Sequence, residues 1–232
     1  MNSFRKSDKV THNSPLIKQV DHIAVRVNEP DYLFSLFTEV FGLPVAWQLA
    51  EYSYFRSGAV IVGNANLEFI RIGNSASTIN NCPSEAKFFG IAFEPFDSLA
   101  DSLDQLSSRD IPHSPPTPFW GKNELGTYQR LWTNVLLGQL LGNQSNTFYL
   151  GKRLSGNTWL NRLIGKVVGT ISNTSWGSKL LAQSLGDSMI FVCDYNHDVE
   201  ARRAIESEAF KRCQGGNLGL KGVQEIVIST TN

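Results

Sequence analysis

What this chain lacks narrows its function before what it has. Its three cysteines, Cys82, Cys193 and Cys213, are an odd number and form no CxxC pair. That usage builds neither a disulfide framework nor a zinc knuckle, and free thiols in a reducing cytoplasm are the expectation. There is no excess charge, because 21 Lys and Arg balance 21 Asp and Glu. With no dense Lys/Arg run either, nothing argues electrostatically for nucleic acid or an anionic membrane as partner. No apolar run reaches the roughly 18 residues that span a bilayer. Met1 to His12 is polar and charged, without the apolar segment of a signal peptide. GxGxxG, P-loop, HExxH and GxSxG motifs are missing as well. What remains is a chain of 232 residues, 41% hydrophobic and 18% charged, with ample material for a globular core.

One strand-like phrase is written three times. Val20-Asp21-His22-Ile23-Ala24-Val25 is the first copy, Phe88-Phe89-Gly90-Ile91-Ala92-Phe93 the second, and Val223-Gln224-Glu225-Ile226-Val227-Ile228 the third. The first two each lead through an acidic turn into an amphipathic stretch. Gly90 lies 68 residues after His22, and Glu225 lies 135 after Gly90. The spacing implies a repeated module, with an insertion in its second copy.

The first copy alternates as a strand. Asn28-Glu29-Pro30-Asp31 then reads as a helix start, with Asn28 able to cap and Pro30 in the first turn. The helix is predicted over about 31–41, with Leu33, Phe34, Phe37, Val40 and Phe41 as its apolar stripe and Gly42 and Pro44 as its stop. Strands are expected at 45–50, 52–62 and 66–72, the last two joined by a tight turn at Gly63-Asn64. The first module is thus β-α-β-β-β over 17–73, after a disordered lead-in over 1–16. Residues 74–86, rich in Asn and Ser, read as a linker. The second module covers 87–213. Its helix spans about 98–107, capped by Asp97, and strands follow at 131–137 and 189–195. Helical spacing of Leu160, Leu163, Ile164, Val167, Val168 and Ile171 marks an insertion over about 142–186. A last helix covers 197–213. Residues 214–232 then carry either a strand closing the second module or the first strand of a third.

In this order, the DHIAV strand, the helix ending Phe41-Gly42-Leu43-Pro44 and the strand Asn66-Leu67-Glu68-Phe69-Ile70 resemble the first half of a glyoxalase/bleomycin-resistance protein, of the vicinal oxygen chelate superfamily. The resemblance is good over 17–73, fair at 88–114 and 189–195, and absent across the insertion. It implies an α+β fold of paired βαβββ modules wrapped into a half-barrel, here with a helical insertion in the second module. It also implies that the first and last strands of each module offer one metal ligand apiece. His22 and Glu68 fall on the first two of these positions. Gly90 falls on the third and has nothing to coordinate with. Asp194 lies near the fourth. A divalent metal (Fe, Mn, Ni or Zn) on His22, Glu68 and Asp194 would polarise vicinal oxygens of a small substrate, as in lyases and dioxygenases of this superfamily.

Glu68, flanked by Leu67 and Phe69, is the expected catalytic base. A carboxylate there needs a partner or a solvated cavity, and His22, Arg26 or a metal could each supply one. Trp47, Phe55, Arg56, His113 and Trp120 are candidate substrate-binding residues, the arginine for an anionic group. Trp132 is a further aromatic able to line a pocket. The expected partner is a small molecule, with a homodimer as one assembly. The main alternative is a non-catalytic protein that binds or sequesters an aromatic compound. A second alternative is a fragment of a longer multi-module protein.

Overall fold

A computed structural model describes residues 15–52, 55–72, 86–122, 126–137 and 189–227. Both modules are present, and they share one sheet. In the first, β1 (Ile17–Val27) leads into α1 (Pro30–Ser35), then β2 (Val45–Glu51), β3 (Phe55–Ile61) and β4 (Asn66–Ile72). In the second, β5 (Ala86–Pro95) leads into α2 (Leu99–Ser108), β6 (Thr117–Lys122), β7 (Tyr128–Leu137) and β8 (Met189–Tyr195). The strand order is β2-β3-β4-β1-β5-β8-β7-β6. This is the paired-βαβββ glyoxalase fold that the resemblance implies.

The two halves are related by a pseudo-twofold axis that can be read from the register. β1 pairs antiparallel with β5, with Ile23 opposite Ile91, His22 opposite Ala92 and Ala24 opposite Gly90. Rotation about the Ile23–Ile91 pair therefore carries His22 onto Gly90. Within each module the first and last strands run parallel, with Ala24 beside Glu68 in one and Ala92 beside Phe191 in the other. The same rotation carries Glu68 onto Phe191.

Alternation along each strand separates two faces. Leu33 and Phe34 of α1 pack with Val27, Val60 and Phe69 on the outer face of the first module. Leu106 of α2 packs with Val135, Leu137 and Val192 on the second. Ala24, Phe55, Ile70 and Phe89 belong to the inner face. The inner face carries the site, and the helices hold its curvature from behind.

Several local expectations are corrected. The first helix widens into a π-turn over Leu36–Val40, with Phe41 N–H bonded to the Leu36 carbonyl at 3.0 Å. The Thr38 hydroxyl donates to the Phe34 carbonyl at 2.8 Å, and such back-bonding loosens the regular helical ladder. Val40, assigned to the apolar stripe, is consequently exposed. α2 is capped by Ser98 rather than Asp97, its hydroxyl oxygen accepting from Asp101 N–H at 3.1 Å. The N-cap of α1 is Glu29, which makes no side-chain cap hydrogen bond of its own.

Among its described residues, Val223 to Val227, the third phrase lies in no strand. After α3 (Val199–Cys213) and a short 3-10 turn (Gly216–Leu218), Leu220 and Val223 pack against the first-module core instead. The Asn64 side chain of the β3–β4 turn holds Val223 by both its backbone groups, at 2.8 and 3.1 Å. Gly63, at φ +103°, leaves that approach open, since a Cβ there would stand 2.6 Å from the Gly222 Cα. Glu225 is exposed. The predicted insertion over 142–186, most of the linker and Cys82 lie outside the described residues. Leu137 and Ile190 on either side of the insertion are register partners, so its two ends leave the sheet side by side.

Gly90 is a close-packing position rather than an open one. A Cβ added there would stand 2.5 Å from the Met189 carbonyl oxygen of β8. Gly90→Ala is expected to force β5 and β8 apart and to cost about 1–3 kcal/mol in chemical denaturation. A stability unchanged from the parent would show that the seam has slack.

Candidate ligand cavity

The inner face of the sheet encloses a cavity of about 650 Å³. Trp47, Tyr52, Phe55, Phe89, Phe119, Trp132 and Phe191 line it, and His22, Ser57 and Glu68 provide polar groups from the first module. Its far rim is closed by four rings. Tyr52 stacks on Phe55 at 4.5 Å, and Phe119 stacks on Trp132 at 5.3 Å. The two stacks meet edge to face, Tyr52 with Trp132 at 5.4 Å and Phe55 with Phe119 at 6.2 Å. The stacks come from strands near opposite ends of the sheet order. Their contact is what a curled half-barrel requires, and such pairs add to simple area burial.

His22 and Glu68 do converge. His22 Nε2 stands 3.4 Å from Glu68 Oε2. Ser57 donates to the other carboxylate oxygen at 2.5 Å and accepts from the Trp47 indole N–H at 3.2 Å. The imidazole lies between the edges of Trp47 and Phe191, at 5.6 and 5.5 Å. These contacts fix its plane.

The residue that orients His22 was not singled out from the sequence. Asp21 follows Val20, which pairs with Phe93, and precedes His22, which pairs with Ala92, so it sits at a register shift between them. Such a bulge re-aims a side chain that strict alternation would send to the opposite face. The Asp21 carboxylate accepts from His22 Nδ1 at 2.7 Å and from the Tyr195 hydroxyl at 2.7 Å. Arg202 and Arg203, both on α3, donate to its other oxygen. Arg203 also reaches Glu94 at 3.3 Å, and both arginines pair with Glu206 at 3.8 and 3.7 Å. Arg202 lies over the Tyr195 ring at 4.5 Å.

Burial alone would push the Asp21 carboxyl up. The hydrogen bond and charge of His22, with Arg202 and Arg203, outweigh that and hold it well below the usual carboxylate range. Burial likewise works against the charged imidazole of His22. The bond to Asp21 and the charges of Glu68 and Asp21 raise it above its ordinary value nonetheless. Burial pushes the thiol of Cys193 and the phenol of Tyr195 well up, so neither offers an anion.

The other predicted site residues divide. Trp47, Phe55 and Trp132 line the cavity, as their aromatic character suggested. Arg56 does not. It pairs with Asp31 at 2.5 Å and Glu51 at 3.4 Å. His113 is buried away from the cavity, with Nδ1 2.9 Å from the Ile111 carbonyl. Trp120, 51% exposed, stacks on Tyr128 at 6.1 Å. Asp194 stands 3.5 Å from Arg130 and is absent from the cavity wall, because Phe191, Cys193 and Tyr195 take the inward positions of β8. Glu68 is partnered by His22 and Ser57 rather than by Arg26.

The donor set does not fit a resident metal. Of the four symmetry-related positions, His22 and Glu68 carry donors, while Gly90 and Phe191 carry none. Among the described residues no three His, Cys, Asp or Glu side chains gather as a metal site, and open catalytic sites use about three protein ligands.

No family model and no curated protein matches the sequence. Among solved structures, methylmalonyl-CoA epimerase from Mycobacterium tuberculosis is similar at TM-score 0.44 and 9% identity, over 82% of this chain and 98% of that one. A hypothetical protein from Bacillus halodurans is similar at TM-score 0.42 and 9% identity, over 78% and 96%. Streptomyces coelicolor methylmalonyl-CoA epimerase in complex with 2-nitronate-propionyl-CoA gives TM-score 0.42 and 10% identity, over 78% and 99%. No described helix is long and apolar enough to cross a membrane.

The Asp21 network sets two expectations. Asp21→Ala removes the buried carboxylate that His22, Arg202 and Arg203 share, leaving the arginines only Glu94 and Glu206, and should cost about 3–5 kcal/mol. In wild-type protein the raised imidazole contributes stability that is fully present below about pH 6.5 and lost as pH rises through the folded value above it. The depressed carboxyl contributes stability above the ordinary carboxylate range, lost only as pH falls through its low folded value. Melting temperature followed against pH should therefore decline on the alkaline side in wild type and decline less in Asp21→Asn. Parallel curves would show that His22 does not draw its charge from Asp21.

Proposed function

We propose that this chain is a metal-independent binding protein for a small, largely aromatic molecule. One observation carries the reading: a cavity of about 650 Å³ walled by eight Phe, Tyr and Trp rings, with a single His–Glu pair set into it. Cavities of this size accept drug-sized molecules and bind them through apolar walls and a few placed polar groups. The missing donors at Gly90 and Phe191 favour the non-catalytic alternative over metal-assisted chemistry on vicinal oxygens.

A second reading is favoured by the alignment of Asp21, His22 and Glu68. An oriented imidazole beside a carboxylate can move a proton on a bound molecule, so the same cavity could support acid–base chemistry. Under that reading Glu68→Gln would abolish turnover and preserve binding.

Two probes test the proposal together. Trp47 and Trp132 line the cavity, so an aromatic ligand should quench their fluorescence. At a hundredfold excess over Kd it should also stabilise the fold by about 2.7 kcal/mol, several degrees in melting temperature. Treatment with a chelator should change neither result. If a panel of two-ring aromatic compounds gives no shift and no quenching, or if chelation abolishes both, the reading fails.

A further inference from the structure

The pseudo-twofold axis makes the two cavity walls comparable position by position. Asn134 pairs with Cys193 as Ser57 pairs with Ile70, so Asn134 is the counterpart of Ser57. Trp132 pairs with Phe119, and Phe55 bonds Tyr52 through its carbonyl, in corresponding places. The four-ring cluster is therefore itself symmetric, each stack having an interplanar angle of 18°. A ligand's apolar part meets similar surroundings from both modules at that rim.

The symmetry breaks at the inner wall. His22 faces Gly90's place, and Glu68 faces Phe191's. A molecule with one polar end meets the His–Glu pair only on the first module's wall, which favours docking with that end there. On the second wall Thr117, Gln129 and Asn134 bring neutral polar groups, the Asn134 Oδ1 without a partner, but no carboxylate stands there. The His22–Glu68 pair offers two groups side by side.

The spacing of that pair specifies the head group. At 3.4 Å, Nε2 and Oε2 are farther apart than a good hydrogen bond, whose usual range is about 2.7–3.2 Å. Asp21 stands at Nδ1 and the Glu68 carboxylate at Nε2, and carboxylates at both nitrogens favour a ring protonated at both, with an N–H at Nε2 beside a group that accepts. A neutral hydroxyl meets both, accepting and donating on one atom. A carboxylate would be repelled by Glu68. An ammonium would be repelled by His22 and has no acceptor for its N–H. An ether cannot donate.

We propose that the ligand is a planar aromatic molecule carrying a hydroxyl, bound with its oxygen between His22 Nε2 and Glu68 Oε2 and its ring toward the Tyr52–Phe55–Phe119–Trp132 cluster. The assignment rests on the cavity reading above and adds the chemical class of the ligand and its direction.

Four matched probes test it by tryptophan quenching and calorimetry: 2-naphthol, naphthalene, 2-methoxynaphthalene and 2-naphthoate. The wild-type protein should bind 2-naphthol at least about tenfold more tightly than each of the others. Glu68→Gln, which keeps the shape of the side chain, should shrink that preference to about threefold or less. Equal binding of naphthalene and 2-naphthol would overturn the hydroxyl assignment while leaving an aromatic-binding cavity intact. Tightest binding of 2-naphthoate would overturn it too. Failure of all four to bind would remove both the assignment and the reading beneath it. The wild-type series stands by itself should the variant fold poorly.

Discussion

The antiparallel pairing of β1 with β5 is the constraint on which everything else depends. It joins two modules into one sheet, and its register at Ile23 and Ile91 fixes the pseudo-twofold axis. Once that register is set, each module's parallel last strand falls into place beside its first. The inward positions of the wall are then determined. A one-residue slip would exchange inner and outer faces along a whole strand. His22 would turn toward the outer layer and Val25 toward the cavity.

The buried charge cluster behind His22 is the least economical part of the molecule. Asp21, Glu94 and Glu206 are nearly inaccessible and are matched by Arg202 and Arg203. Desolvating such ions is costly, and a hydrophobic substitute of the same shape is often as stable. What a hydrophobic substitute could not do is grip Nδ1 of an imidazole that faces a cavity. The cluster ties α3 to the wall through one carboxylate. The orientation of His22 therefore depends on a helix that contributes no cavity-lining side chain of its own.

Much of the fold was legible because it was written as periodicity. The repeated phrase marked β1 and β5, the Gly63-Asn64 turn marked the β3–β4 hairpin, and the strand over 189–195 was bounded as found. His22, Glu68, Trp47, Phe55 and Trp132 were legible as positions that line a cavity for the same reason, since alternation on a strand predicts which side chains share a face. The rest depended on information that periodicity does not carry. Asp21 reaches His22 only through a bulge, which breaks alternation. Arg202 and Arg203 come from a helix some 180 positions away. Asp194 was misplaced because the strand's position in sequence says nothing of which parity faces inward, and Phe191 takes the place that a ligand would have needed. The third phrase had the composition of a strand, but composition supplies no neighbour to pair with. Asn64 bonds Val223 through a side chain instead.

The side-by-side departure of residues 137 and 190 from the sheet has an evolutionary consequence. A connection whose two ends are already held together by a strand pair needs little further closure. The entropy of closing a flexible loop grows only logarithmically, at about 0.6 kcal/mol for each doubling of length. That end of the second hairpin is thus a port where sequence can be gained, lost or exchanged with small effect on the half-barrel. Any new property acquired there would arrive without disturbing the geometry around His22.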